Sequence, residues 1–427
     1  MLRGKTHDGA ANMSGEFKDC QAIVAKQQPL ALYVHCGAHC VNLVSQAVSE
    51  RTQEVRDELQ VVNELGVLFS QSMPVRNAFS KIIAESDVGR RAYMQIRPLC
   101  PTRWLVRVKA VTSLLSQYES VLACLEEMST ARSSVSIRAA GLFGHLRKSS
   151  TVIALLMSIA VFTPLEILNR AFQFSSQSVA GMLEAVGSVL GELQALRTDQ
   201  DFDCLLEKVA QMQKDCDLDA LEVPRQRRPP ARFTGPAACT VAMTVSDYYK
   251  PKYFELLDNA ISELRERFTN SAGLRQYSII EQTLLSGRST NEAQTVLALY
   301  PELDVDDLAA ELRMFHRGRT LRTLAETVTV LKSMCPEVRA EFRQVCTLVR
   351  LLLVCPASSA QAERSFSALR RIKTWLRTTM TQTRLNAIAV CHINRNMTDR
   401  VNVTELMTEF VSRSDIRKTI FGRFLKE

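Results

Sequence analysis

The sequence predicts a mostly α protein with a short α/β portion at its start, and composition and hydrophobic periodicity are the main grounds. The 427 residues include 16 glycines and 13 prolines, about 7% together, against a usual share of roughly 12%. This shortage of turn-forming residues argues against an all-β sandwich or barrel. With 46% hydrophobic and 23% charged residues, the chain is globular, which excludes a disordered protein, and its length predicts two or three structural units.

The charge and the cysteines are typical of a basic intracellular protein. Lys and Arg number 53 and Asp and Glu 45, a net charge of +8, which is weak evidence for a polyanionic partner over a chain of this length. The 12 cysteines form no paired CxxC spacing, and the N-terminus has no apolar segment, so we expect a reducing compartment and no signal peptide. The longest apolar run, residues 151–163, has 13 residues, whereas a membrane-spanning helix needs about 20. We expect a buried core helix there and no membrane partner.

The first 45 residues contain the α/β portion. His7-Asp8-Gly9 is a turn signal, and the apolar run at 31–36 predicts a strand. From His39 the apolar residues recur with helical spacing. The order is therefore loop, strand and helix.

After residue 45 the pattern is helical almost throughout. Two prolines within 97–102 predict an extended break, because the residue before a proline resists the α region. Helices are predicted on either side of this break, at 55–69, 104–128, 149–173 and 177–197.

The clearest linker is 223–233, which holds three prolines and four arginines. We interpret it as a solvated loop, with nucleic-acid contact as the alternative. Helices resume beyond it. One is predicted to begin at Pro336, since proline suits the first helical position, and to end at Cys355 before Pro356. The next helix has a capping-box signature, Ser358-x-x-Gln361.

Four short motifs occur in an order that points to one family. They are Gly4-x-x-His7-Asp8-Gly9-Ala-Ala-Asn12-Met13-Ser14-Gly15, Cys36-Gly-Ala-His39-Cys-Val-Asn42-Leu43, Pro101-Thr102-Arg103-Trp104, and PASSAQAERSFS at 356–367 followed by Arg377 and Arg384-Leu385. The set resembles the hAT superfamily of cut-and-paste DNA transposases and the host proteins derived from them. The motif set is also similar to that of the transposase-like C-terminal half of the zinc finger MYM-type proteins. The resemblance covers essentially the whole chain.

The resemblance implies an incomplete ribonuclease-H-like α/β core that is interrupted by a large helical insertion. Residues 1–45 would form the N-terminal part of this truncated core, and residues 46–335 the insertion with its basic linker. Residues 336–427 would supply the C-terminal part of the core and the hAT dimerisation region.

The resemblance also implies a catalytic centre. Family members cleave DNA with two aspartates and a glutamate that hold divalent metal ions, because two-metal phosphoryl transfer needs clustered carboxylates around ions about 3.5 to 4 Å apart. Asp8 matches the second aspartate and Glu363 matches the glutamate. Both are therefore candidate catalytic residues and candidate ligands of Mg²⁺, which prefers hard oxygen donors.

The first aspartate of the triad has no counterpart in the sequence. Only seven residues precede Asp8 and none is a carboxylate, and the zinc-finger domain usual in the family is also absent. We expect a catalytically incomplete centre that holds a metal pair poorly. The alternative interpretations are a turn residue for Asp8 and, for Glu363, a solvated first-turn glutamate favoured by the helix dipole.

Cys36 and His39 suggest zinc at first sight, with His35 and Cys40 close by. A closed zinc site needs four ligands, usually in two separated pairs, and no second pair is evident. We therefore predict that Cys36 and His39 have a structural role at a strand-to-helix junction.

Two groups of residues are candidates for DNA binding. Trp104 matches a family tryptophan that stacks on a flipped base near the transposon end, as aromatic faces do with unstacked bases, and Arg103 beside it would meet a phosphate. An aromatic anchor at a helix start is the alternative. The second group is basic and lies on and after the capping-box helix: Arg364, Arg370, Arg371, Lys373 and Arg377. Packing against a partner helix explains it equally well.

The resemblance implies a hAT transposase-derived protein of the nucleus that acts by protein dimerisation, with DNA association and without a small-molecule substrate. Apolar residues at helical spacing would form the surface of a homodimer or higher homo-oligomer: Phe366, Leu369, Leu385 and Ile388. One alternative is an active DNA transposase fragment, performing metal-dependent strand cleavage and transfer in a longer chain. Another is a chromatin interaction scaffold without DNA contact. A Walker-type loop and a GxSxG elbow are both absent from the sequence.

Overall fold

The computed structural model describes residues 2–9, 19–85, 95–99, 106–130, 134–173, 178–224, 243–269, 272–355, 357–374 and 379–422. The described chain is mostly helical, which confirms the predicted class. It divides into two compact units, residues 1–359 and 360–427. The predicted domain boundary between 335 and 336 lies inside the first unit.

The first unit begins with a parallel pair of strands. β1 (Gly4–His7) pairs with β2 (Leu32–His35), with Gly4 opposite Leu32 and His7 opposite His35. Parallel strands need a crossover connection, and α1 (Cys20–Gln27) lies within it. The strand predicted at 31–36 is present, whereas β1 was missed because its last residue forms part of the turn signal.

Two contacts fix β1 to helices that are distant in the sequence. The guanidinium of Arg3 donates to the carboxylate of Glu302 at 2.5 Å, and Arg3 is buried. The hydroxyl of Tyr277 donates to the backbone carbonyl of Arg3 at 2.8 Å. The start of the described chain is therefore built into the first unit.

The next nine helices of the described chain include one apolar helix, α8, against which most of the others pack. They are α2 (Gly37–Arg51), α3 (Gln53–Gln71), α4 (Met73–Glu85), α5 (Arg107–Leu115), α6 (Tyr118–Ser129), α7 (Ser134–Leu146), α8 (Ser149–Ala171), α9 (Val179–Ala195) and α10 (Asp199–Asp215). The single helix predicted at 104–128 is wrong over its described residues, since α5 and α6 are separate. The break lies at Gln117, whose buried side-chain amide donates to the carbonyl of Ser113 at 2.9 Å and so competes with regular helix geometry.

Helix α8 contains the apolar run at 151–163 and is longer than that run. Its 23 residues are long and apolar enough to cross a membrane by length and composition alone, but 67% of its most apolar window is buried inside the fold. Val152, Leu155, Val161 and Leu165 have no exposed surface. The placement supports the interpretation as a core helix.

The remaining helices of the first unit are α11 (Val245–Thr269), α12 (Ala272–Ser286), α13 (Asn291–Leu297), α14 (Val305–Phe315), α15 (Leu324–Ser333), α16 (Pro336–Ala340) and α17 (Arg343–Val354). The single helix predicted from Pro336 to Cys355 is wrong, because it is interrupted between α16 and α17. The buried ring of Phe342 occupies this break and meets Phe315 edge-on, with centroids 5.2 Å apart.

The second unit consists of short helices. They are α18 (Ala360–Ile372), α19 (Gln382–Ile393), α20 (Arg395–Thr398), α21 (Val403–Ser412) and α22 (Asp415–Phe421). Helix α18 packs on α19, and α21 packs on α22. The buried hydrophobic residues described in this unit are few: Ala360, Ala368, Ile372, Leu385 and Val411.

A partly buried histidine–carboxylate pair lies among the helices around α8. Nε2 of His145, on α7, lies 2.9 Å and 3.0 Å from the two carboxylate oxygens of Glu58 on α3. The hydroxyl of Thr151 donates to the same carboxylate at 3.4 Å. The hydrogen bond to Glu58 raises the pKa of His145 above its ordinary value, against the opposing effect of burial.

We expect His145→Gln to remove a pH-dependent part of the stability. A raised folded-state pKa means that the contribution is complete below the unfolded imidazole pKa of about 6.5 and is lost as pH rises through the folded value. Chemical unfolding of the wild type should therefore show a loss of roughly 1 kcal/mol or less between about pH 6 and pH 8, because the imidazole is one-third exposed and screened. An equal loss in the variant would contradict this role of the pair.

Candidate functional site

Asp8 directly follows β1 at the carboxyl edge of the parallel strands. The phenol of Tyr33 donates to the backbone carbonyl of Asp8 at 3.5 Å, and Asp8 is half-buried. Parallel sheets place functional side chains outside the carboxyl ends of their strands. Asp8 therefore occupies a position suited to a site residue.

Four stacked rings line the same edge. His7 stacks on Tyr33 with centroids 6.1 Å apart, Tyr33 on His35 at 6.5 Å, and His35 on His39 at 5.4 Å. Burial lowers the pKa of His35 to about 4, with further lowering by His39 and Arg267, and burial also lowers the pKa of His39. Both imidazoles are therefore neutral at neutral pH. Nε2 of His35 is buried and has no hydrogen-bond partner among the described residues.

Cys36 joins this edge to the end of the first unit. The thiol is fully buried, lies 3.4 Å from the hydroxyl of Ser358, and accepts from the backbone N–H of Ser359 at 3.3 Å. The N–H of Gly37 donates to the carbonyl of Ala357 at 3.0 Å. These bonds support the structural interpretation of the Cys36 and His39 junction.

The described residues do not assemble a metal centre around Asp8. Within the ranges that the structure covers, no group of three or more His, Cys, Asp and Glu side chains could hold a metal ion. A two-metal site needs clustered carboxylates, so this donor set does not fit a magnesium pair. Glu363 belongs to the second unit, where it is exposed in the first turn of α18.

The predicted DNA-binding residues divide into two groups. Arg364, Arg370 and Arg371 lie on α18 and Lys373 follows it, all with exposed side chains. Three predicted residues lie outside the described part of the chain: Arg103, Trp104 and Arg377.

The predicted dimerisation residues differ in their exposure. Phe366 on α18 is 70% exposed, while Leu369 and Ile388 are half-buried. Leu385 is already buried within the single chain. The prediction of a partner surface therefore rests most directly on Phe366.

Sequence reasoning missed most of the exposed apolar side chains of the second unit. Large hydrophobic side chains that are at least 40% exposed occur on or between its last helices: Val390, Ile393, Met397, Val401, Val403, Leu406, Met407, Phe410, Ile416, Ile420 and Phe421. Helical spacing alone did not reveal them, because the same spacing also describes helices that pack inside a fold.

The second unit also carries nearly all of the net charge. Residues 360–427 contain thirteen Lys and Arg against six Asp and Glu, a net charge of +7 out of the +8 of the whole chain. Eight of these basic and two of these acidic residues lie within 360–400, whereas 401–422 contains three of each. The net charge of the whole 427-residue chain does not show that the positive charge is concentrated in one unit. Counting the charged residues of each segment shows it.

Comparisons with known proteins identify part of the chain. Residues 326–397 match the family model of the hAT C-terminal dimerisation region. The chain is 21% identical over 420 residues to the "52 kDa repressor of the inhibitor of the protein kinase" of Homo sapiens, covering 92% of this chain and 53% of that protein. The protein of the same name in Mus musculus is 20% identical over 421 residues, with the same coverage.

The resemblance to the hAT superfamily is thereby confirmed, and the chain contains that family's C-terminal dimerisation region. The chain spans about half the length of the curated relatives that it matches. The matched region runs from α15 through α20 and so includes both α18 and α19.

We expect Gly273→Ala to disturb the strand that holds Tyr33 and His35. A Cβ at Gly273 would clash with the backbone carbonyl oxygen of Tyr33, and a backbone atom cannot turn aside as a side chain can. The free energy of unfolding should fall by about 1–3 kcal/mol. The matched control is Gly187→Ala, where a Cβ on α9 would meet open space and should add roughly 0.5–1 kcal/mol. Equal chemical-unfolding midpoints for the two variants would contradict the close packing of α12 on β2.

Proposed function

We propose that the chain is a hAT transposase-derived protein of the nucleus whose C-terminal unit associates with a second copy and binds the DNA backbone. The observation that carries this proposal is the composition of that unit's surface. It combines exposed apolar side chains with nearly all of the net positive charge. Exposed apolar side chains and a positive net charge are each common by themselves. Together they suit a dimer that binds a polyanion.

Self-association is supported by the apolar surface within the matched dimerisation region. Phe366 is 70% exposed, Met397 69%, Val390 58% and Ile393 42%. Monomeric soluble proteins rarely expose large contiguous apolar patches, and homodimer interfaces are more apolar than other surfaces. A second copy of the same unit offers the same side chains for burial.

The pair α21 and α22 extends this argument beyond the matched region. Ile416 is 72% and Leu406 54% exposed, and the guanidinium of Arg417 lies 4.2 Å from the centroid of the Phe410 ring. Helices this short are marginal without tertiary packing. Contact with a second copy of the chain would supply that packing. Because 401–422 has equal numbers of basic and acidic residues, charge repulsion would not oppose this contact.

DNA association is supported by the basic segment 360–400. Arg370 and Lys373 are exposed, and neither forms an ion pair with any described residue. Uncompensated arginines and lysines on one segment attract phosphates by releasing counterions from the nucleic acid. The same charge would oppose close approach of two basic helices, so we assign this segment to DNA and the apolar surface to the partner chain.

The β1–α1–β2 unit fits the proposal as part of a ribonuclease-H-like core. It provides parallel strands, a crossover helix and Asp8 at the carboxyl edge. In this view Asp8 and Glu363 each match a catalytic residue of the family, and Mg²⁺ would be a cofactor only in a chain with a complete donor set.

A second candidate function is an interaction scaffold without DNA contact. The name of the two relatives describes a repressor of a protein-kinase inhibitor, a regulatory role that needs no DNA cleavage. The exposed apolar surface suits this candidate as well. The charge of 360–400 favours DNA association, and the salt dependence of binding separates the two candidates.

We expect the full chain to sediment as a dimer or higher oligomer at about tens of micromolar, a range typical of modest interfaces. Phe366→Glu and Ile416→Glu should each weaken self-association by about tenfold or more, because each buries an unpaired charge in an apolar interface. The matched control is Ile137→Glu, which changes a 77% exposed isoleucine on α7 of the first unit and should leave the mass unchanged. A monomeric wild-type chain would contradict the proposal.

We expect DNA affinity to fall steeply between about 50 and 200 mM salt, since each phosphate contact releases counterions. Fluorescence anisotropy with a labelled duplex measures this. Combining Arg370→Gln with Lys373→Gln should reduce the slope of log affinity against log salt by about 2. Combining Lys81→Gln with Arg138→Gln, two exposed residues of the first unit, removes the same charge and should not change the slope. If the chain does not bind the duplex, or binds it with an affinity that does not depend on salt, DNA association is contradicted and the scaffold function is favoured.

A further inference from the structure

A cleft of about 340 Å³ lies within the second unit, between α18 and the C-terminal end of α19. Gln361, Arg364, Ser365 and Arg371 line it from α18, and His392 lines it from α19. The residues on α18 recur at spacings of three, four and seven, so they share one face of the helix. The cleft is therefore a consequence of the sequence pattern of α18 and of its packing on α19.

The small side chain of Ala368 lines the middle of this cleft. Ala368 is 5% exposed and lies midway between Arg364 and Arg371. Seven residues of helix separate the two arginines, which places their Cα atoms about 10 Å apart along the axis. Their side chains therefore flank the cleft from its two ends, with a methyl group between them.

The walls favour an anion. None of the described residues that line the cleft is a carboxylate, and Arg371 forms no ion pair with any described residue. A guanidinium presents a planar fork of donors that matches phosphate oxygens in pairs. Gln361 and His392 add further hydrogen-bonding groups beside the two arginines.

We infer that this cleft holds one backbone phosphate of a nucleic-acid strand, with Arg364 and Arg371 as its binding residues. The inference rests on the proposed DNA association and specifies where one phosphate is held. Its volume is near the lower end of ligand pockets, which span about 300–1,000 Å³, and suits a sugar-phosphate group. The net charge of +6 over 360–400 draws such a strand to this unit.

The test uses the full chain and a labelled single-stranded oligonucleotide at one salt concentration. Arg371→Gln should raise Kd about tenfold, the loss expected for a charge-assisted contact. The comparison variant is Arg384→Gln, an exposed arginine of α19 in the same basic segment that does not line the cleft. It removes the same charge, and because it loses only general attraction to the strand it should raise Kd by no more than about two- to threefold. Arg371→Lys keeps the charge without the fork and should fall between the two.

Equal weakening by Arg371→Gln and Arg384→Gln would overturn the cleft assignment and leave DNA association intact. A wild-type chain that binds no oligonucleotide at low salt would overturn both. Inorganic phosphate provides the last measurement, through broadening of its ³¹P resonance. Broadening that Arg371→Gln abolishes, in a chain that binds no oligonucleotide, would assign the cleft to a free phosphate and overturn the nucleic-acid assignment.

Discussion

Burial of α8 is the constraint on which the first unit depends. Helices α2, α3, α5, α7, α9, α10 and α11 all pack against it, and full burial of each large apolar side chain contributes about 1.5–3 kcal/mol relative to exposure. Its few polar side chains then position the surrounding elements. The carboxylate of Glu166 accepts from the backbone N–H of Val108 at 2.9 Å, which holds the start of α5. The amide of Asn169 donates to the carbonyl of Ala38 at 3.3 Å, which holds the start of α2.

These polar bonds connect the core to the candidate site. Helix α2 begins directly after β2, so the bond from Asn169 also fixes the edge that carries His35 and Asp8. Arg51 at the C-terminal end of α2 and Arg267 on α11 both bind the buried carboxylate of Glu263, at 2.6 Å and 2.8 Å. A buried carboxylate needs such compensation, because an unpaired one would be costly. The electrostatic environment of the histidines therefore depends on how α2 and α11 pack around the core.

Local sequence signals predicted much of the fold. The spacing of apolar residues and the local composition predicted the positions of β2, α3 and α8, because each of these elements has a strongly apolar face. The breaks at Gln117 and Phe342 were missed because they depend on a buried side-chain amide and on a ring packed against a distant helix. β1 was missed for a related reason: Arg3 and Tyr277, 274 residues apart, meet only in the folded chain.

The candidate site could be predicted only in part. A motif gives the types of residues at a site, but it does not show which side chains are exposed in the folded chain. The ordered motifs led to the hAT family, and residues 326–397 confirm its dimerisation region. The exposed apolar side chains of 401–421 carry no motif, and their exposure depends on what each helix packs against. The charge of 360–400 was available in the sequence, but it became informative only when the two units were separated.

We propose that the second unit alone binds both a second copy and DNA. Hydrogen exchange of the full chain, measured at low and high protein concentration and with and without DNA, separates the contributions of the two units. We expect concentration-dependent protection of α21 and α22 and DNA-dependent protection of α18 and α19, with the first unit unchanged. Protection that increases with concentration or DNA in the helices around α8, and not in the second unit, would contradict it.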